Sequence, residues 1–203
     1  MQRCQTSTVA TATKLALLLL WLLGGAWPVA AAPDVCVLAP LVDPAGAAPA
    51  SLPVALVPLR QPTVFIREPL AEVRLEREGV RGNRLLWQAQ PPTGSSLEGP
   101  LAWPLPPLQP GQRLTLRLRP IGVEPDQFAT IRLQAAPLLR LEAGDALLRS
   151  LLAGPATAWR PAIEGLLAQG DRSLATALLF ANEGPNEPAL NALRLQAVRE
   201  SCR

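Results

Sequence analysis

Two pairs of carboxylates are the residues in this sequence whose type and spacing could support acid–base chemistry. Glu72 and Glu76 fall on one side of an alternating segment, and Glu124 and Asp126 lie close together in the chain. Two carboxyl groups facing each other across a substrate are the arrangement that hydrolyses glycosides. Arg74 lies between the first two, however, and opposite charges on a sheet pair across neighbouring strands. We therefore expect the first pair on a solvated strand face and the second pair in a turn.

The other common catalytic groups are missing. The sequence contains no histidine, and its only lysine, Lys14, lies near its N-terminus. Ser-His-Asp and Cys-His catalysis are thereby excluded, since both need an imidazole as the base. No glycine-rich phosphate loop or zinc-protease helix motif occurs, and cysteines without histidine are a poor set of metal ligands. We therefore predict a non-enzymatic protein with no catalytic residue, no cofactor and no metal site.

An arginine-rich strand face favours binding. Arg113, Arg117 and Arg119 alternate with leucines along one segment, and Arg132 on the next segment falls on the same side. Guanidinium groups can bind carboxylates through two parallel hydrogen bonds. This face is therefore a candidate site for an acidic envelope protein or an acidic polysaccharide. The alternative is a solvated sheet face whose arginines pair with the glutamates of the neighbouring strand.

Three of the tryptophans have different predicted roles. Trp103 lies in a proline-rich segment and is expected to be exposed, where its ring could stack on a sugar or a partner loop. Trp87 is expected to face the core of the β region. Trp159 is expected to seal the helices against the sheet.

Residues 1–31 have the features of a secretion signal. Arg3 and Lys14 supply positive charge, residues 15–23 form an apolar run, and small residues precede a predicted cleavage site after Ala31. The alternative is an uncleaved membrane anchor, but the apolar run is short for a spanning helix, which needs about 20 residues. We therefore expect a periplasmic or secreted mature chain with no membrane span after cleavage.

Removal of this signal changes the charge and the cysteine content. The formal net charge falls from +3 to +1, because Arg3 and Lys14 are lost. A nearly neutral protein lacks the electrostatic footprint of a nucleic-acid binder. Cys36 and Cys202 remain near the two ends of the mature chain, and in an oxidising compartment such a pair predicts a disulfide bond. Unpaired or intermolecular thiols are the alternative.

A proline-rich and alanine-rich stretch precedes the β region. Residues 32–50 are expected to form a semi-rigid leader. Residues 51–60 predict an edge strand with Val54, Leu56 and Val57 facing the core, because prolines at both ends suit an edge position.

Alternating segments predict an antiparallel sheet over residues 51–136. Residues 71–77 and 85–89 alternate and are separated by a turn rich in glycine, which predicts a β-hairpin. Residues 112–119 alternate leucines with polar residues, and residues 128–134 follow the same pattern. A half-buried antiparallel sheet explains these patterns, and we predict a β-sandwich.

The periodicity becomes helical after the β region. Four short apolar segments separated by glycine and proline occupy residues 137–203. Thr157, Asp171 and Asn186 are the predicted N-caps of the second, third and fourth helices. Helices this short depend on packing for their stability, so we expect the segment to pack on the sandwich.

One segment carries a likeness to a known architecture: Leu108-Gln-Pro-Gly-Gln-Arg-Leu-Thr-Leu-Arg-Leu. It resembles the corner of an immunoglobulin-like or fibronectin-like sandwich, where a Pro-Gly loop leads into a long central strand. The tyrosine that latches this corner in many such domains has no counterpart, because the sequence contains no tyrosine. The resemblance implies an α+β chain: an immunoglobulin-like antiparallel β-sandwich followed by about four short α-helices.

The closing segment carries a second likeness, through Leu178-Leu179-Phe180-Ala181-Asn182-Glu183-Gly184 and Ala189-Leu190-Asn191-Ala192-Leu193. It is similar to a family of exported bacterial proteins of unknown function, built as a β-sandwich followed by a few helices. The likeness covers most of the mature chain and implies a fold and a compartment. We predict an exported, non-enzymatic interaction or scaffold protein of the cell envelope. The alternative is a carbohydrate-binding module for an acidic polysaccharide.

Overall fold

The computed structural model describes residues 35–43, 52–80 and 82–201. The predicted signal peptide and Cys202 lie outside these residues. The described strands are β1 (Val37–Ala39), β2 (Val42–Asp43), β3 (Val54–Val57), β4 (Val64–Arg77), β5 (Arg84–Ala89), β6 (Leu97–Leu101), β7 (Arg113–Pro120) and β8 (Ala129–Ala135). The described α-helices are α1 (Leu138–Ala153), α2 (Trp159–Ala168), α3 (Arg172–Leu179) and α4 (Pro188–Ser201).

All eight described strands belong to one curled sheet. Their order is β1-β4-β7-β8-β3-β2, and β5 and β6 both pair with β4. Pairing between the described strands is antiparallel except between β3 and β8, which run parallel. The chain is therefore α+β, with a mostly antiparallel sheet followed by helices, as the sequence predicts.

The long strand β4 explains why the described strands do not form the two stacked sheets that were expected. It has 14 residues. Its first half pairs with β1 and β6, and its second half pairs with β5 and β7. Register shifts fall between Ile66 and Leu70 and between Leu70 and Glu72, and such irregularities bend a strand. Because β4 bends, strands that were expected in two separate sheets pair with it in one sheet.

The segment predicted as a leader contains two strands. β1 pairs with β4, and β2 pairs with β3. β3 consequently lies between β2 and β8, so its prediction as an edge strand is wrong. Val57 is buried as expected, but Ala55 shares its face and Leu56 is exposed. Successive side chains of a strand point to opposite faces. The residues expected to face the core, Val54, Leu56 and Val57, therefore include residues of both faces.

The inner face of the sheet carries the main core. Leu114 and Leu118 of β7 are fully buried together with Val73 and Leu75 of β4. The predicted hairpin is confirmed, because β4 and β5 pair antiparallel across its turn. Trp87 packs against this core and is half-buried.

The helices form a second core against the sheet of their own chain. Trp159 is 2% exposed and packs in a cluster that also contains Leu38 of β1, as expected for a residue sealing helices to the sheet. The rings of Phe65 and Phe180 lie 4.5 Å apart and connect β4 with the end of α3. Gly144 of α1 lies so close to the carbonyl before Leu59 that a Cβ atom would clash with it. The absence of a side chain at Gly144 thus allows α1 to pack close to the backbone that precedes Leu59.

The helix starts agree with the sequence in one case out of three. Asp171 caps α3 as predicted and accepts a hydrogen bond of 3.1 Å from a backbone N–H in the first turn. Thr157 lies in a 3-10 turn (Ala156–Ala158), and α2 begins without a side-chain cap. At α4, Glu187 and not Asn186 accepts from the backbone N–H of Leu190, at 3.0 Å. α4 begins at Pro188, so Glu187 and not Asn186 occupies the N-cap position.

Candidate binding site

The outer face of β4, β7 and β8 carries the polar residues that alternate with the core leucines. The strand register places these residues opposite each other: Glu72 and Arg119, Arg74 and Arg117, Glu76 and Thr115, Arg117 and Thr130, Thr115 and Arg132. The sequence predicts this face to be solvated, but Glu72 is 1% exposed, Glu76 7% and Thr115 1%. The expectation that the two glutamates are solvated is therefore wrong, because arginine side chains shield them, but the expected pairing of strand-face arginines with Glu72 and Glu76 is confirmed.

Glu72 is the centre of a closed group of hydrogen bonds. Arg119 donates to its Oε2 through Nε at 3.2 Å and Nη2 at 3.0 Å, and Gln88 donates to its Oε1 at 2.7 Å. Arg74 also donates to Oε1. Burial raises the pKa of Glu72, but hydrogen bonds from Arg74 and Arg119 outweigh it and hold the pKa below its ordinary value of 4.5. We call Glu72, Arg74, Gln88 and Arg119 the Glu72 network.

Phe128 connects this network with the rest of the face. The guanidinium carbons of Arg74 and Arg117 lie 4.6 Å and 4.4 Å from its ring centroid, within the range of cation–π contacts. Phe128 itself is 8% exposed. The aromatic ring therefore holds Arg117 at the boundary of the network.

Four side chains beyond that boundary form a two-by-two block on β7 and β8. Thr115 lies opposite Arg132, and Arg117 lies opposite Thr130. Directly opposed residues have Cβ atoms about 5 Å apart and diagonal neighbours about 7–8 Å apart. The two arginines therefore lie on one diagonal of the block and the two threonines on the other.

The block forms the floor of an open cleft of about 450 Å³. Glu78, Gly79 and Asn83, from the connection between β4 and β5, line one part of the cleft, and Leu52, which precedes β3, lines another. The cleft is therefore polar, and its floor belongs to the rigid centre of the sheet.

Thr115 is the unusual member of the floor. Its hydroxyl Oγ1 is buried and has no hydrogen-bond partner in the structure. A buried hydroxyl without a partner destabilises a fold by about 1–3 kcal/mol. An acceptor atom bound beside Arg132, the cross-strand neighbour of Thr115, would satisfy this hydroxyl.

Both arginines of the block already contact a glutamate. Arg117 Nη1 lies 3.4 Å from Glu76 Oε1, a long contact, and Asn83 donates to the other oxygen of Glu76 at 3.1 Å. Arg132 Nε lies 2.7 Å from Glu78 Oε1, and about a third of each of these two side chains is exposed. The Glu78–Arg132 pair is thus the more accessible of the two.

The predicted binding face is divided by the structure. Arg117 and Arg132 line the cleft, whereas Arg119 belongs to the Glu72 network and Arg113 is exposed outside the cleft lining. Trp103, expected to be exposed, is half-buried against the main core, and its indole nitrogen donates to the carbonyl of Pro106 at 3.2 Å. The prediction of an exposed Trp103 is therefore wrong.

The remaining predicted residues lie elsewhere. Glu124 accepts a backbone hydrogen bond of 3.0 Å from Gln127, which confirms the expected turn around Asp126. The pairing of Cys36 with Cys202 stays a prediction because Cys202 lies outside the described residues.

Sequence reasoning did not assign to the site the other polar residues that line the cleft, namely Glu78, Asn83, Thr115 and Thr130. The alternation along β7 was a usable signal, because it placed Thr115 on the same side as Arg113 and Arg117. Their meeting with β8 depends on strand register, which the sequence did not reveal.

Comparisons with known proteins give no relative: no family model, curated protein or solved structure matches the chain. Within the described ranges, no cluster of three or more acidic, cysteine or histidine side chains could hold a metal ion. Among the helices of the same ranges, none is long and apolar enough to cross a membrane.

Proposed function

We propose that this chain is an exported, non-enzymatic binding protein of the cell envelope, and that its cleft receives an acidic group of a protein partner. The observation that carries the proposal is the buried, unpartnered hydroxyl of Thr115 beside the diagonal pair Arg117 and Arg132. A carboxylate on the partner could accept from both guanidinium groups and from this hydroxyl. The arginines and threonines lie on paired central strands, which hold them in place before the partner arrives.

A protein partner fits the cleft better than a polysaccharide. Sugar binding commonly uses an aromatic platform, and the residues that line the cleft include no aromatic side chain. Trp103, the residue on which the carbohydrate alternative depends, packs against the core and donates its indole N–H within its own loop. Binding of an acidic polysaccharide is therefore the alternative result in the binding test below.

The export and disulfide predictions belong to the same proposal. Cleavage after Ala31 stays a prediction from the sequence. Pairing of Cys36 with Cys202 is supported by the position of the last helix. Ala197 and Glu200 near the end of α4 line the same groove as Val37 of β1, which follows Cys36 directly. The resemblance of the β region to immunoglobulin-like architecture, and the likeness to exported envelope proteins, also stay predictions.

Binding of an acidic peptide and of an acidic polysaccharide to the purified protein tests the proposal. We expect a fluorescein-labelled decaglutamate peptide to bind, and the double variant Arg117→Gln, Arg132→Gln to lose at least tenfold in affinity. Each charge-assisted hydrogen bond contributes about 1.5–3 kcal/mol, and about 1.4 kcal/mol corresponds to tenfold. Arg160→Gln is a control for the loss of a positive charge outside the cleft, because Arg160 pairs with Glu164 on the exposed side of α2.

Two results would overturn the proposal. One is a double variant that stays folded, by circular dichroism, and binds the peptide as well as the Arg160→Gln control. The other is preferential binding of polygalacturonate fragments that is lost on Trp103→Ala, which would support the carbohydrate-binding alternative.

A further inference from the structure

The carboxylate of Glu78 contacts the guanidinium group of Arg132, which an acidic partner would need to bind. We propose that Glu78 is an internal competitor at Arg132, and that the partner's carboxylate replaces it there while the Glu76–Arg117 contact stays closed. This inference rests on the proposed function and adds that the partner's carboxylate exchanges with that of Glu78 at Arg132.

The two glutamates differ in how easily they can be displaced. The side chain of Glu76 is 9% exposed, lies on the paired part of β4 and also accepts from Asn83. The side chain of Glu78 is 35% exposed and contacts an arginine that is 34% exposed. Ion pairs at such exposure contribute little to stability, because solvent screens them and because ordering the two long side chains costs conformational entropy. Glu78 is therefore the group that yields.

The backbone around Glu78 permits this release. The ladder between β4 and β5 ends at Arg77, so Glu78 is the first residue beyond the paired strand. The turn that follows is closed by a hydrogen bond from Gly82 N to Gly79 O at 3.1 Å, and Val80 at its tip is fully exposed. The Glu78 side chain can therefore turn to solvent without breaking a sheet hydrogen bond.

The charges of the cleft also favour an exchange. Arg117 and Arg132 face Glu76 and Glu78, so the cleft holds two cations and two anions at rest. An added carboxylate would leave an uncompensated negative charge, whereas a carboxylate that replaces Glu78 keeps the balance. The incoming group also gains a donor that Glu78 does not use, since the hydroxyl of Thr115 has no partner in the present arrangement.

Titration of the decaglutamate probe into a Glu78→Gln variant tests the competition. Glutamine keeps the size of the side chain and removes its charge, so we expect the affinity to rise about threefold to tenfold. Glu98→Gln is the matched control, because Glu98 is an exposed glutamate of β6 outside the cleft lining and its removal changes the net charge equally. Adding Thr115→Val to Glu78→Gln is expected to cancel most of the gain.

The possible results separate this inference from the proposed function. If Glu78→Gln binds no better than Glu98→Gln while the Arg117→Gln, Arg132→Gln variant loses the probe, internal competition is wrong and the acidic cleft stands. If the double arginine variant also binds normally, both proposals fall. A gain in Glu78→Gln that survives Thr115→Val would remove the threonine hydroxyl from the mechanism and overturn that part of the inference.

Discussion

The Glu72 network, on β4, β5 and β7, and the cleft, whose floor lies on β7 and β8, are two parts of one sheet face, and both contain contacts between arginine and glutamate. In the network, the buried carboxylate of Glu72 accepts hydrogen bonds from two arginines and a glutamine. In the cleft, a buried hydroxyl has no partner, and the arginines hold their glutamates through one long contact and one exposed contact. The carboxylate of the Glu72 network is fully hydrogen-bonded, whereas the cleft has a hydrogen-bond donor without a partner.

This difference separates stability from binding on a surface that the sequence presents as uniform. A buried charge whose hydrogen bonds are complete has nothing left to offer a ligand, and its removal leaves its partners unpaired. Donors that are placed but unsatisfied are the ones that a partner can use. Arg119 and Arg117 are two residues apart on β7 and fall on opposite sides of this division.

The largest expected effect comes from reversing a charge in the Glu72 network. Arg119→Glu places a second carboxylate beside buried Glu72, and breaking such a pair destabilises the fold by about 3–5 kcal/mol. Chemical denaturation measures the loss. Arg113→Glu, at an exposed position of the same strand, should stay within about 0.5 kcal/mol of the natural protein. Equal effects of the two changes would contradict the distinction between the two parts.

A smaller effect is expected from neutralising the carboxylate of the network. The pKa of folded Glu72 lies below its ordinary value of 4.5, so the stability it provides is complete above that value and is lost as the pH falls through the lower, folded pKa. Glu72→Gln should lower the free energy of unfolding at neutral pH by about 1–3 kcal/mol. It should also make the acid-induced decrease shallower than in the natural protein.

Denaturation curves between neutral pH and pH 3 measure this second prediction, with Glu98→Gln as the control of equal charge change. An acid dependence in Glu72→Gln as steep as in that control would show that Glu72 is not held ionised by its arginines.

The smallest effect has the opposite sign. Thr115→Val keeps the shape of the side chain and removes the buried hydroxyl, so we expect the free energy of unfolding to rise by about 1 kcal/mol. Binding of the decaglutamate probe should weaken at the same time. Thr130→Val, at a half-buried position on the other corner of the block, should bring no such gain in stability. If Thr115→Val destabilises the protein, the hydroxyl has a partner in solution and the cleft loses its distinguishing donor.

Local sequence patterns predicted the elements of this fold better than their arrangement. The alternation in β7, the hairpin of β4 and β5 and the Asp171 cap depend on neighbours within a few residues. The membership of β1 in the sheet and the interior position of β3 depend on partners far along the chain. No local pattern specifies such partners.

The candidate site was half predictable for the same reason. Alternation identified Arg117 and Arg132 as outward residues, but it gave equal weight to Arg113 and Arg119. Only the register of β4, β7 and β8 shows that Arg119 meets Glu72 and that Arg132 meets Thr115. Burial of the glutamates was missed because the covering side chains come from neighbouring strands.

The parallel pairing of β3 with β8 has a consequence for the order in which the chain can fold. β3 is made early and β8 late, and each of Val54, Ala55, Leu56 and Val57 has its partner on β8. A chain that emerges from the ribosome N-terminus first therefore carries β3 without this neighbour until nearly all of the β region has been synthesised. Contacts between such distant segments slow folding, because a long loop must close before they form. We therefore expect the β3–β8 pairing to form after the β4–β5 hairpin, whose strands are neighbours in the chain.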